Sequence, residues 1–348
     1  MTRGRKSEVS KCEERKSMSK KILCLEIGVL LFTLSFPAQA QQPAKTPRIG
    51  FVTSAGDPKN PGPRVQAFQR GLRELGYVEG KNIQVEYRYL EGNQERVPSI
   101  VAELLQLKVD VLVSTTLGTV RLAKQRTQTI PIVMVIPDDP VALGLVDSLA
   151  RPGGNITGLT RLSRDLSGKR LELLTEAIPG ISRVGVLYST SNIQVTGPRA
   201  SQDYEAPARA LKIALQMLEV RSPNPDLAGA FRDAAKGRAQ ALINVTTSTL
   251  VPNDKKIADL AIKHRLPTMF EASHYVEAGG LMSYSADDAE SFNRVAIYVD
   301  KILKGRKPAD FPVEQPTKFE FVVNLKTAKS IGLTIPPEIL ARANRIIR

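Results

Sequence analysis

The sequence predicts an α/β protein made of two doubly wound parallel-sheet lobes joined by a three-strand hinge. Short apolar runs bounded by Pro or Gly alternate with segments whose apolar residues recur at helical spacing, the βαβ rhythm of an open sheet covered on both faces. The rhythm restarts after a Pro/Gly-rich piece, RPGGNITGL (151–159), which puts a lobe boundary near residue 158. The C-terminal third holds too few elements for another domain, so the chain is expected to re-enter the first lobe and then return to the second, giving three crossings.

Each element has its own warrant. RIGFVTS (48–54), flanked by Pro47 and Gly56, reads as a strand buried on both faces. Val65, Phe68, Leu72 and Leu75 then mark a helix over 64–75, closed by Gly76. Strand 82–89, helix 94–107, strand 109–115, helix 118–126 and strand 130–136 complete the first set. The second set runs helix 164–177, strand 183–189, helix 203–218, strand 219–222, helix 225–236, strand 239–246, helix 253–264 and strand 267–272. Strand 279–285, an amphipathic helix over 287–304 ended by Gly305, and strand 318–324 follow. The expected division is 48–158 with 275–312 as lobe one and 159–274 with 313–348 as lobe two.

The first 40 residues read as a polar lead and a cleaved export signal. Lys20 and Lys21 precede an apolar segment from Ile22 to Phe36, and Ala38-Gln39-Ala40 supplies the small residues that a signal peptidase requires, so the cut is expected after Ala40. The segment is shorter than the ~20 residues of a spanning helix, and translation is expected to begin at Met18. The mature chain is therefore expected in the periplasm. Its only two cysteines, Cys12 and Cys24, precede the cut, which removes disulfides, thiol nucleophiles and thiolate-bound metals from consideration.

Residues 1–40 hold 8 Lys+Arg and 4 Asp+Glu, so the mature chain keeps 41 of 49 basic and 31 of 35 acidic residues, a net of +10. The basic residues are scattered and not interleaved with aromatics, which argues against a nucleic-acid partner. Such a field suits an anionic solute or an anionic membrane surface, or is simply an ordinary basic exterior. His264 and His274 have no second ligand at metal spacing, and no Gly-x-Ser-x-Gly elbow or local triad appears. Asp287-Asp288 is read as the start of a helix, where negative charge favours the dipole. No enzyme, cofactor or metal is called for.

Open α/β sheets bind ligands beyond the carboxyl ends of their strands. In lobe one those ends carry Ser54, then Ser114, Thr115 and Thr116, then Asp138; in lobe two they carry Ser189 and Asn192, Thr246 and Thr247, and Glu271, with Tyr284 on the returning strand. STTLGT (114–119) opens a helix, so free amides and hydroxyls could hold a carboxylate there, or the cluster could serve only as a cap. NVTTST (244–249) repeats it in lobe two, the symmetry by which a clamshell grips from both sides. Asp138 and Glu271 are candidates for an ammonium group, and Tyr188 or Tyr284 for stacking, against the plainer readings of solvated acids and packed rings.

RPGGNITGL (151–159), FQRGLRELGYVEGKNIQVEYRY (68–89) and EAGGLMSYSADDAESFNRVAIYVDKILKGRKPADFPVEQPTKFEFVVNLKTAKSIGLTIPPEIL (277–340) together resemble the exported substrate-binding proteins of ABC transporters, of the type I periplasmic-binding fold, in the branch that includes tryptophan-binding members. The resemblance spans about 48–345. It implies a small-molecule ligand in an inter-lobe cleft, closure on binding, and delivery to an ABC permease driven by a cytoplasmic ATPase. The chain has no Trp and no full aromatic pocket can be mapped, so aromatic specificity is not carried over. The expected protein is a monomer that captures an amino acid or related carboxylate; the alternatives are a sensing module of a signalling system and an exported enzyme on the same framework.

Overall fold

The computed structural model describes residues 46–54, 56–161, 163–190 and 197–348; the export signal, the expected cut at Ala40 and Asn192 lie outside these. The first sheet is entirely parallel, in the order β2-β1-β3-β4-β5, from β1 (Arg48–Thr53), β2 (Gln84–Tyr89), β3 (Val111–Ser114), β4 (Ile132–Ile136) and β5 (Ile156–Thr160). Its strands are apolar on successive residues because both faces are covered. Phe51, Val113 and Val133 face α1 (Gly62–Glu74) and α9 (Asp288–Leu303), whereas Val52, Leu112 and Met134 face α2 (Val97–Gln106) and α3 (Leu117–Arg126).

The second sheet has seven strands in the order β12-β11-β10-β9-β8-β6-β7. These are β6 (Arg183–Thr190), β7 (Ala214–Arg221), β8 (Ala241–Asn244), β9 (Thr268–Phe270), β10 (Met282–Ala286), β11 (Phe319–Asn324) and β12 (Arg345–Ile347). It is mixed, because β10 and β11 pair antiparallel. One face packs on α4 (Ser167–Ala177), α5 (Gly197–Ala210), α10 (Leu325–Ile331) and α11 (Pro337–Ala341) through Val184, Val186, Ile243 and Val323. The other packs on α6 (Leu227–Lys236), α7 (Asp254–Lys263) and the short α8 (His274–Glu277) through Leu187, Leu242, Phe270 and Val322.

Three sequence expectations shift. The Pro/Gly-rich piece 151–159, read as the lobe boundary and given no strand, contains most of the fifth strand of the first sheet: β5 pairs with β4 from Ile156↔Ile132 to Thr160↔Ile136. The expected helix 203–218 stops at Ala210, Lys212 turns the chain at φ 57°, and the strand expected at 219–222 begins at Ala214. Strand β10, assigned with 275–312 to lobe one, pairs with β9 and β11 in the seven-stranded sheet, so the chain re-enters lobe one only with α9. The physical reason is that the apolar row of β10 is needed beside β9, while Phe292, Val295 and Val299 of α9 fill the first core.

The chain passes between the lobes three times: after β5, at the step at Asp287, and over 313–318. The first and third are tied where Glu314 N donates to Gly158 O (2.9 Å) and Thr160 N to Glu314 O (3.0 Å), the second and third where Asp287 N donates to Lys318 O (3.1 Å). Asp287 caps α9, its Oδ1 accepting from Glu290 N at 3.1 Å. Its neighbour Asp288 stands in the first turn of α9, as the sequence reading placed it, and has a further role: it takes Arg64 Nε of α1 at 2.9 Å and lies 2.5 Å from Arg161 Nη2 of the first crossing. Burial alone would raise its carboxyl, but Arg161 and Arg64 prevail and hold it below the ordinary carboxylate range. His274, at the start of α8, is pushed down to about 3 by burial and by the neighbouring Arg64, and so is neutral at physiological pH.

Two outcomes follow. Gly158 sits at φ 132° with the site of a Cβ 2.1 Å from Met134 O, so Gly158→Ala must break the β4–β5 register, and a loss of ~3 kcal/mol or more is expected as a fall in the urea midpoint. Between about 3 and the ordinary 6.5, unfolded His274 binds a proton that the folded protein refuses, so stability is full above that window and declines as pH falls through it. In His274→Asn, stability followed from pH 7 to about pH 4.5 should decline less, by on the order of 2 kcal/mol.

Candidate functional site

The carboxyl ends of the two sheets face each other across a cleft of about 480 Å³. Ser54 (after β1), Thr115 and Thr116 (after β3) and Asp138 (after β4) line it from lobe one, and Thr246, Thr247 and Ser248 (after β8) from lobe two. Apolar walls come from Val97, Leu117, Leu122, Val135, Val251 and Phe292. At the mouth the lobes touch: a Cβ on Gly92, whose φ is 79°, would stand 3.1 Å from Pro252 Cγ and 3.6 Å from Ser248 O.

The hydroxyl cluster after β3 divides its work. Ser114 Oγ donates to Thr116 O and accepts from Thr116 N, both at 3.2 Å, which fixes the turn. Thr116 occupies the N-cap position of α3 but makes no side-chain cap bond; its Oγ1 donates instead to Thr119 Oγ1 at 2.8 Å. Thr115 Oγ1 is buried with no partner, at the positive end of α3. Thr246 Oγ1 in lobe two is likewise buried with no partner. A buried hydroxyl without a hydrogen bond is costly, and here one from each lobe borders the same cavity.

The two acids are placed differently from the expectation that they meet an ammonium group. Asp138 lines the cleft, but its Oδ1 is 2.5 Å from Arg164 Nε, and the same guanidinium reaches Asp203 Oδ2 of α5 at 2.7 Å, so it bridges the lobes. Glu271 lies behind the cleft. Its Oε1 accepts from Tyr204 OH (2.9 Å) and Arg170 Nη1 (3.2 Å) and its Oε2 from Thr246 N (2.9 Å), so the carboxylate positions the cleft-facing loop from inside. Arg170 is fully buried and also donates from Nε to Tyr284 O at 2.8 Å.

Ser114, Ser189 and Tyr284 do not border the cavity among the described residues. Ser189 Oγ and Thr247 Oγ1 share a hydrogen bond of 2.5 Å, which braces the lobe-two loop. The Tyr284 ring stacks on Phe319 with centroids 6.0 Å apart, and Tyr188 OH reaches Glu219 at 3.4 Å, so both rings are used in packing against strand neighbours. Among the lining residues that escaped the sequence reading, with Gln94, Glu95 and Arg121, are Arg64, third residue of α1, and Arg161, the residue directly after β5. Recognising β5 as a strand would have exposed Arg161, since it then stands at a strand's carboxyl end beside Asp138. Burial pulls Arg161 down to about 10, still charged at neutral pH.

The family model described as ABC transporter substrate binding protein matches residues 62–347. A tyrosine-binding protein of Clostridioides difficile (strain R20291) is 25% identical over 276 residues, covering 77% of this chain and 76% of that protein. Among solved structures, a conserved domain protein from Vibrio cholerae is 27% identical with a TM-score of 0.75, covering 87% of this chain and all of that one. An ABC domain from Streptococcus pneumonia in complex with L-Trp is 25% identical with a TM-score of 0.73, covering 86% of this chain and all of that one. With two α/β lobes, a cleft between their strand ends and a family match over most of its length, the chain belongs to the ABC transporter substrate-binding proteins.

Proposed function

We propose that this protein captures a small carboxylate-bearing solute, an amino acid or a close relative, between its lobes and delivers it to a membrane permease. The carrying observation is the pair of unpartnered buried hydroxyls, Thr115 from lobe one and Thr246 from lobe two, bordering one cavity. A carboxylate at the N-terminus of α3 would meet the free amides of its first turn and the Thr115 hydroxyl, with Thr246 closing from the opposite side. A grip divided between lobes binds tightly only when they approach, so occupancy is coupled to closure. The relatives support this class of solute, one being named for tyrosine binding and one holding L-Trp. Export through the apolar N-terminal segment would place the protein outside the cytoplasm, where an importer's receptor meets its solute. The role is capture and release and involves no covalent step: Asp138, one of the two acids on the cleft wall with Glu95, is held by Arg164.

A thermal-shift screen against amino acids, small carboxylates, nucleosides and sugars should give a saturable rise in midpoint with carboxylates, the hit being recovered unchanged by mass spectrometry. Chemical conversion of the hit would make the protein an enzyme instead. Thr115→Val and Thr246→Val keep shape and remove one hydroxyl each. Each should weaken binding of that hit about 10-fold, with the melting midpoint of the empty protein held or raised; unchanged affinity in both would remove the site from this place.

A further inference from the structure

Arg64 and Arg161 are each 6% exposed, and both line the cleft. They share one carboxylate, Asp288, reached by Arg64 Nε at 2.9 Å and by Arg161 Nη2 at 2.5 Å. Arg64 Nη2 and Arg161 Nε are buried with no hydrogen-bond partner. Of the other acids around the cleft, Glu271 is held by Arg170, Asp138 shares Arg164 with Asp203, and Glu95 has its place on the cleft wall beyond α1. His274 faces the same cluster and is neutral. Two guanidiniums thus share one directly paired carboxylate and keep at least two unused donors at the edge of the cavity. A buried guanidinium with idle N–H groups is costly, and its planar fork fits the two oxygens of a carboxylate.

This pair is separate from the carboxylate position at α3. In the strand order β1-β3-β4-β5, Thr115 follows β3 and Arg161 follows β5, two strand spacings apart, or roughly 10 Å between backbones. Resting on the carboxylate reading above, we propose that the solute is a small dicarboxylate, with or without an α-amino group. One carboxylate sits on Thr115 and the N-terminus of α3, the other on Arg64 and Arg161. The apolar wall between these poles accommodates the connecting carbons, and the second charge separates this cleft from one built for a neutral side chain.

Acid and amide pairs isolate the second charge: L-glutamate against L-glutamine, L-aspartate against L-asparagine, and succinate against succinamate, titrated calorimetrically into the purified protein. The preferred diacid should bind about 10-fold or more tighter than its monoamide, and Arg161→Gln should bring that ratio near one. Asp288→Asn, which keeps both arginines and removes their competitor, should raise the ratio above that of the unaltered protein. If the arginines only held the hinge together, acid and amide would weaken alike in Arg161→Gln and the ratio would not move, which overturns the proposal. Monoamides or neutral amino acids binding as tightly as diacids in the unaltered protein also overturns it, while leaving carboxylate capture intact; failure of every probe overturns both.

Discussion

A carboxylate taken out of water must be met by cations, and Asp288 is met by two, from different parts of the chain. Arg64 belongs to the first helix of lobe one, Arg161 to the first crossing, and Asp288 itself opens α9 just after the second crossing. Removing either partner from such a buried arrangement typically costs about 3–5 kcal/mol. The cluster thus fixes where α9 enters lobe one, and α9 in turn supplies Phe292, Val295 and Val299 to the core that covers β1, β3 and β4. Because Arg64 and Arg161 also face the cavity, the electrostatics of the hinge and of the ligand cleft are one system.

Much of the fold was legible because the signals were redundant. In β1, β3 and β4 nearly every residue is buried, so continuous apolar runs could only be strands of a covered sheet. Strand β5, ITGLT, hid because two threonines and Gly158 replace the apolar run, and its place is set by pairing with β4 and by the return of Glu314 beside it. The edge strand β7 hid for another reason. ALQMLEVR is apolar at spacings compatible with either period, and half of it faces solvent, so no burial pattern separated it from the helix before it.

The site was legible as a location more than as a set of roles. Strand ends predicted where the hydroxyls gather, and Ser54, Thr115, Thr116, Asp138, Thr246 and Thr247 do border one cavity. Charge partners were illegible because they are set by tertiary contacts. The ion pair of Arg164 with Asp138 spans 26 positions, the contact of Glu271 with Thr246 N spans 25, and that of Arg64 with Asp288 spans 224. A strand-end acid reads as an ammonium partner until its own counter-ion is seen.

Those partners change the character of the cleft. With Asp138 bridged by Arg164 to Asp203 across the lobes, and Glu271 turned inward to Arg170, Tyr204 and Thr246, these two acids act as parts of the frame. Among the described residues that line the cavity, the buried polar groups without partners are the Thr115 and Thr246 hydroxyls, guanidinium nitrogens of Arg64 and Arg161, and the amide nitrogen of Gln94. The nitrogens can only donate and the hydroxyls can donate as well as accept, so all of them can be satisfied by anionic oxygen. With Asp138 and Glu271 used to hold the frame, the proposed selectivity for an anionic solute and the coupling of the lobes would rest on neighbouring side chains around Asp288.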